Sequence, residues 1–239
     1  MEIILNLNSV EILKRLSSSL VKKTTDYLLE FRLSGSARKY VKDIAFDVAR
    51  KFGVKGAARN RVVPPHVTII GPIKTNFEQK LIHEIIETCM KHDLMTIKFS
   101  GFTSFGNWLL GNRVLAVKIK PSNELELLRS ELTEKLSGFC QLSKFDTRKW
   151  KPHATIAFKD IDKKFGQIKA FLENRNCPEI QHYVLRITLL KNARILREYD
   201  FLQHRTLNRD EALNRENKKM TIMLLKKRIA KRNIGGNSE

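Results

Sequence analysis

Two five-residue segments of this chain match each other almost residue for residue: Pro65-His66-Val67-Thr68-Ile69 and Pro152-His153-Ala154-Thr155-Ile156. Each stands in a strand-like apolar pattern and is followed by a helical pattern, so the chain carries an internal repeat, one copy in each half. On a strand, residues i and i+2 face one side, and i+1 and i+3 face the other. His66 and Thr68 are therefore expected to project together while Val67 and Ile69 enter the core. His153 and Thr155 repeat this, with Ala154 and Ile156 behind them. Two such halves facing each other would line one groove with two imidazoles and two hydroxyls. A third His-x-Thr, His204-Arg205-Thr206, has Arg205 at the inward position and no apolar strand around it. It reads as a chance match near the end of a strand.

The rest of the pattern is mixed. A strand over Tyr27–Leu33 precedes a helix from about Ala37 to Phe52, with Val41, Ile44, Ala45 and Val48 on one face. A basic loop, Lys55 to Arg61, leads into the first motif strand, and a helical pattern over Phe77–His92 follows it. Strands at about 95–105 and 113–120, a helix from Asn123 to Leu136, the second motif strand, a weaker helix (162–174) and strands at 181–190 and 194–203 complete the series. Neighbouring strands joined by short loops point to an α+β chain with antiparallel sheets. At 239 residues the chain exceeds one average domain but falls short of two. The expected division is an N-terminal helical extension (1–24), a central domain (25–206) and a basic C-terminal helix and tail (207–239).

Lys and Arg number 45 against 25 Asp and Glu, a net charge of +20. That excess favours a polyanion partner, nucleic acid ahead of an acidic membrane. An apolar share of 42% excludes a wholly disordered chain. Cys89, Cys140 and Cys177 are odd in number and scattered, which fits neither a disulfide framework nor a zinc knuckle and points to a reducing compartment. No apolar run is long enough for a membrane span, and Asn6, Asn8 and Glu11 interrupt any signal-peptide core. The expectation is a soluble, cytoplasmic protein.

Two histidines and two threonines in one groove suit in-line displacement at phosphorus. One neutral imidazole takes a proton from the attacking hydroxyl or water, and the other gives one to the leaving oxygen. An ordinary pKa of about 6.5 lets histidine do either near neutral pH. The threonine hydroxyls can donate to non-bridging oxygens where charge builds. The chemistry requires neither metal nor cofactor.

The paired His-x-Thr motifs, about eighty residues apart, resemble those of the 2H phosphoesterase superfamily. Their Pro-His-x-Thr-Ile form is similar to the 2′-5′ RNA ligase-like, RNA cyclic phosphodiesterase branch. The resemblance spans roughly Tyr27 to His204. It implies a bilobal fold, two antiparallel sheets with outer helices related by a pseudo-two-fold repeat, and hydrolysis of 2′,3′-cyclic phosphates at RNA ends with weak reverse 2′-5′ ligation. It makes His66 and His153 the acid–base pair and Thr68 and Thr155 the phosphate-binding hydroxyls. The partner implied is RNA, or a nucleotide with a cyclic phosphate. Some members carry Gly-Arg shortly after the second motif; this chain has Ala157-Phe158 and then Lys159. Two alternatives stay open: an RNA-binding module with a non-catalytic phosphate groove, and a phosphodiesterase acting on a small cyclic nucleotide metabolite.

Basic segments precede both motifs. Arg59 and Arg61 before the first, and Lys149, Trp150 and Lys151 before the second, are candidate RNA contacts, with Trp150 as a stacking platform. Phe158 and Lys159, which close the second motif strand, join them. Phe105 and Trp108 read as packing over a hairpin, and His83 and His92 as solvent-facing or capping residues. The C-terminal helix places basic residues around Met220, Ile222, Met223, Leu224, Leu225 and Ile229. That apolar stripe predicts docking on protein with the basic side outward.

Overall fold

Alternation along the first strand buries Tyr27, Leu29, Phe31 and Leu33 on one face and leaves Glu30 and Arg32 on the other. The computed structural model describes residues 25–59, 63–107 and 111–235. The expected N-terminal helix, Arg61, Trp108 and the side chains of Arg59 and Arg232 lie outside the described residues. In chain order the elements are β1 (Thr25–Arg32), α1 (Gly35–Phe52), α2 (Lys55–Arg59), β2 (His66–Thr75), α3 (Glu78–Cys89), β3 (Met95–Asn107), β4 (Gly111–Pro121) and α4 (Asn123–Ser137). Then come β5 (His153–Phe158), a 3₁₀ turn (Asp162–Lys164), α5 (Phe165–Glu173), β6 (Gln181–Val184), β7 (Arg186–Lys191), β8 (Arg194–Asp200), β9 (Arg205–Leu207), α6 (Arg209–Leu213) and α7 (Arg215–Gly235).

The strands form two antiparallel sheets, in the orders β2-β1-β7-β8-β9 and β5-β4-β3-β6. The α+β class with two antiparallel sheets and outer helices is as the sequence implied. Each motif strand is an edge strand, and the two edges touch. The helices cross between halves. Helix α1, which leads toward β2, packs against β5, and α4, which leads toward β5, packs against β2. Their buried faces are Ala37, Val41, Ile44, Ala45 and Val48 on α1 and Leu125, Leu128, Leu132 and Leu136 on α4. One continuous apolar core therefore runs through both sheets. Among the described residues no helix is long and apolar enough to cross a membrane.

Several elements differ from the sequence reading. The segment 181–190 is not one strand: β6 pairs with β3 in the second sheet and β7 with β1 and β8 in the first, with only Leu185 between them. Apolar residues stand on both sides of the change, Tyr183 and Val184 before it and Ile187, Leu189 and Leu190 after it, so periodicity gives no sign that the chain changes sheets there. The start of the basic loop is helical. The amides of Lys55 and Gly56 donate to the Asp160 carboxylate at 2.6 and 2.9 Å, which satisfies the orphan donors of α2 from 104 residues away. Gly56 is needed there, because a Cβ would meet the Phe158 carbonyl oxygen at 2.0 Å. The strand expected over 194–203 stops at Asp200, whose carboxylate accepts from the amides of Leu202 and Gln203 and closes a turn. The third His-x-Thr opens the short strand β9 beyond that turn. His92 faces Glu131 rather than solvent, with Nε2 3.0 Å from the carboxylate.

The C-terminal helix docks by polar contacts more than by its apolar stripe. Arg186 donates to Asp200, Glu198, Thr221 and the carbonyls of Ala212 and Asn217. Thr221 donates to Asp200 at 2.6 Å. Met220, Ile222 and Met223 remain exposed.

His182 of β6 is buried. Burial pushes its pKa down to about 4. The native state thus holds this ring neutral while an unfolded chain protonates it near 6.5. Its contribution to stability is full above the unfolded value and is lost as pH falls toward about 4. Between pH 7 and pH 5 the wild type should lose about 2 kcal/mol of unfolding free energy more than His182→Gln. Urea titrations of both proteins at the two pH values check this.

Candidate active site

The two motif strands place their residues as alternation requires. Val67 and Ile69 on β2, and Ala154 and Ile156 on β5, are buried, while His66, Thr68, His153 and Thr155 are half-buried on the other face. The histidines are held alike. His66 Nδ1 lies 3.1 Å from the Pro64 carbonyl and His153 Nδ1 lies 2.8 Å from the Lys151 carbonyl. A carbonyl only accepts, so each Nδ1 carries the hydrogen, and each neutral ring keeps the lone pair on Nε2.

The surroundings of the two rings differ. Glu30 on β1, buried and the register partner of Thr68, brings a carboxylate oxygen 3.8 Å from His66 Nε2. Arg32, the register partner of His66, donates to the same Glu30 at 3.0 Å. His153 instead lies against Phe105, with ring centroids 4.5 Å apart. Burial holds the His153 pKa below its ordinary value, and the charge of His66 lowers it further. The two imidazoles are thus electrostatically coupled, with His153 disposed to be neutral.

The free edge of β2 is closed by the segment that leads into β5. The Trp150 indole N–H donates to the Thr68 carbonyl at 3.2 Å. Arg129 of α4, buried, donates to the carbonyls of Ile69 at 3.0 Å and Asp146 at 2.9 Å. The Gly71 amide donates to the Asp146 carboxylate, and Lys74 pairs with Gln141. The Arg129 guanidinium also lies over the Trp150 ring, 5.4 Å from its centroid.

The structure therefore gives Trp150 a structural seat between the two motifs. Lys149 and Lys151 beside it are exposed. Phe158 is half-buried at the end of β5, with Lys159 Nζ 5.2 Å from its ring centroid. Among the described residues no three His, Cys, Asp or Glu converge as a metal cluster. Glu30 and Arg129 escaped the sequence reading, and Phe105, read there as packing over a hairpin, lies against His153. Arg129 had a signal, since it falls on the apolar face of α4 between Leu125 and Leu132. Glu30 had none, because it alternates like any solvent-facing residue.

The two His-x-Thr strands thus meet at the seam of two antiparallel sheets. Residues 36–195 match the family model of the 2′-5′ RNA ligase superfamily, and the chain belongs to that superfamily, whose members act on phosphodiesters. Among solved structures, E. coli LigT complexed with 3′-AMP is similar at 15% identity and a TM-score of 0.41, over 77% of this chain and 94% of LigT. Kluyveromyces marxianus Usb1 is similar at 12% identity and a TM-score of 0.48, over 78% of this chain and 98% of Usb1. A search of curated proteins found no match.

Because Lys offers no planar fork to span two carbonyls, Arg129→Lys should leave at least one buried acceptor unmet. The expected destabilisation is about 1–3 kcal/mol, read by urea denaturation.

Proposed function

We propose that the protein hydrolyses 2′,3′-cyclic phosphates at RNA ends, with His153 as general base and His66 as general acid. The observation that carries this is the matched tether of the two rings, Nδ1 on a carbonyl two residues back, which leaves each Nε2 to move a proton. The lowered pKa of His153 supplies a base that is free at neutral pH. The Glu30 carboxylate beside His66 Nε2 offers an ion-pair partner to that ring when it carries a proton.

In the step, His153 Nε2 takes a proton from water as the water oxygen bonds to phosphorus. The bond from phosphorus to one ribose oxygen breaks, and His66 Nε2 gives that oxygen its proton. One proton has then moved from His66 to His153, and exchange with solvent resets the pair. Thr68 and Thr155 donate to the non-bridging oxygens, whose charge grows in the transition state. A 5′-hydroxyl in place of the water would be joined to the cyclic phosphate by the same groups in the same roles, and microscopic reversibility exchanges those roles when the new diester is cleaved back to the cyclic phosphate. Both reactions open the strained five-membered ring, and the far higher concentration of water favours hydrolysis.

The test is turnover of a short RNA ending in a 2′,3′-cyclic phosphate, in the presence of EDTA. His66→Ala and His153→Ala should each lower kcat by about 10²–10⁴. The pH profile of kcat/KM should be bell-shaped. Its acidic limb should lie below the ordinary histidine value of about 6.5, because the base becomes available only as His153 loses its proton. Turnover that survives either alanine variant overturns the acid–base assignment. No turnover on RNA or on mononucleotide cyclic phosphates, with RNA still bound, favours the non-catalytic binding module.

A further inference from the structure

A second concavity opens beside His66, with a volume of about 270 Å³. One wall is the sheet face that carries Arg32, Arg186, Thr188 and Glu198, and the other is α7, through Lys218, Thr221 and Ile222. Pro64 and Arg32 line it as well. Pro64 supplies the carbonyl that holds the His66 ring, and Arg32 is the cross-strand partner of His66. The cavity therefore begins at the strand that neighbours His66, and paired strands lie about 5 Å apart.

The lining is chemically two-sided. Leu33, Pro64, Leu185, Ala212 and Ile222 give apolar surface, and four cations line the rest, of which Arg32 is paired with Glu30 and Arg186 with Asp200 and Glu198, leaving Arg38 and Lys218. Glu198 is already engaged by Arg186 at 3.2 Å and by the Thr188 hydroxyl at 2.9 Å. Arg38 is exposed, and among the described residues neither Arg38 nor Lys218 has a carboxylate partner, the Lys218 ammonium donating to the Leu213 carbonyl. An apolar slot rimmed by uncompensated cations matches a base and its phosphate. Helix α7 lies beyond the residues that match the family, 36–195, and Arg186, Asp200 and Thr221 fix it rigidly over the cavity.

We propose that this cavity is a subsite for the nucleotide adjoining the reacting phosphate, completed by the C-terminal helix, and that it selects an RNA chain over a mononucleotide. The proposal rests on the phosphoesterase reading above and adds the substrate class. Arg38 and Lys218 hold the backbone phosphate, and the base enters between Pro64 and Ile222.

The experiment compares a tetranucleotide with a mononucleotide, each ending in a 2′,3′-cyclic phosphate. It uses the full chain, Ile222→Trp, and the double variant Arg38→Glu with Lys218→Glu. The wild type should favour the tetranucleotide at least tenfold in kcat/KM, and both variants should bring that ratio toward one while keeping the wild-type melting temperature within a few degrees. Calorimetric binding of the same two nucleotides ending in a 2′- or a 3′-phosphomonoester reads the same preference without turnover. A length preference in binding that both variants abolish supports the subsite even if neither cyclic phosphate is hydrolysed, and in that case only the catalytic reading fails. A wild-type ratio near one, or a ratio unchanged in both variants, overturns the subsite while leaving the hydrolysis in place.

Discussion

An edge strand exposes a row of backbone donors and acceptors, and β2 meets this problem at the place where the chemistry requires accuracy. Its free edge is met by α4 and the chain between α4 and β5. Arg129 takes the Ile69 carbonyl, Trp150 the Thr68 carbonyl, Asp146 the Gly71 amide, and Gln141 pairs with Lys74. Every one of these partners precedes the second motif in the chain. The segment that delivers His153 to the seam is therefore the same one that fixes His66. Removing Arg129 would leave the Ile69 carbonyl, which it meets in the buried part of this edge, without its partner.

The crossed helices add the apolar part of the same arrangement. With α1 beneath β5 and α4 beneath β2, neither half can move without breaking core contacts of the other. The Asp160 carboxylate on the amides of α2 ties the end of β5 to the first half once more. Rigid placement matters because proton transfer between oxygen and imidazole depends on sub-ångström approach. Two matched tethers on Nδ1, one in each half, extend that rigidity to the rings themselves.

Buried charge takes part in docking the C-terminal helix. Arg186 is surrounded by Asp200, Glu198 and Thr221 with its donors satisfied, which is the condition under which a buried ion is tolerated. This leaves the apolar residues of α7 free of structural duty, so Ile222 can face the cavity beside the site. The stripe that sequence alone reads as a docking face is partly exposed for that reason. The +20 charge is likewise uneven in its use: some cations are paired in the interior, while Arg38 and Lys218 stand open beside the cavity.

The repeat of Pro-His-x-Thr-Ile determined by itself which residues share a face, because strand alternation is a local property of the chain. Thus His66, Thr68, His153 and Thr155 were legible, as were the helices over 35–52 and 123–137, whose apolar faces recur at helical spacing. What tertiary structure decided was everything that depends on long separation. The chain changes sheets at Leu185 between two apolar stretches that read alike, and Asp160 caps a helix 104 residues away. Glu30 comes beside His66 through pairing of β1 with β2, and Phe105 beside His153 through β3 and β4. The different duties proposed for the two histidines follow from these neighbours, since the motifs around them are nearly identical. Local pattern sets the direction in which a side chain points, whereas the charge and burial it meets there come from residues distant in the chain.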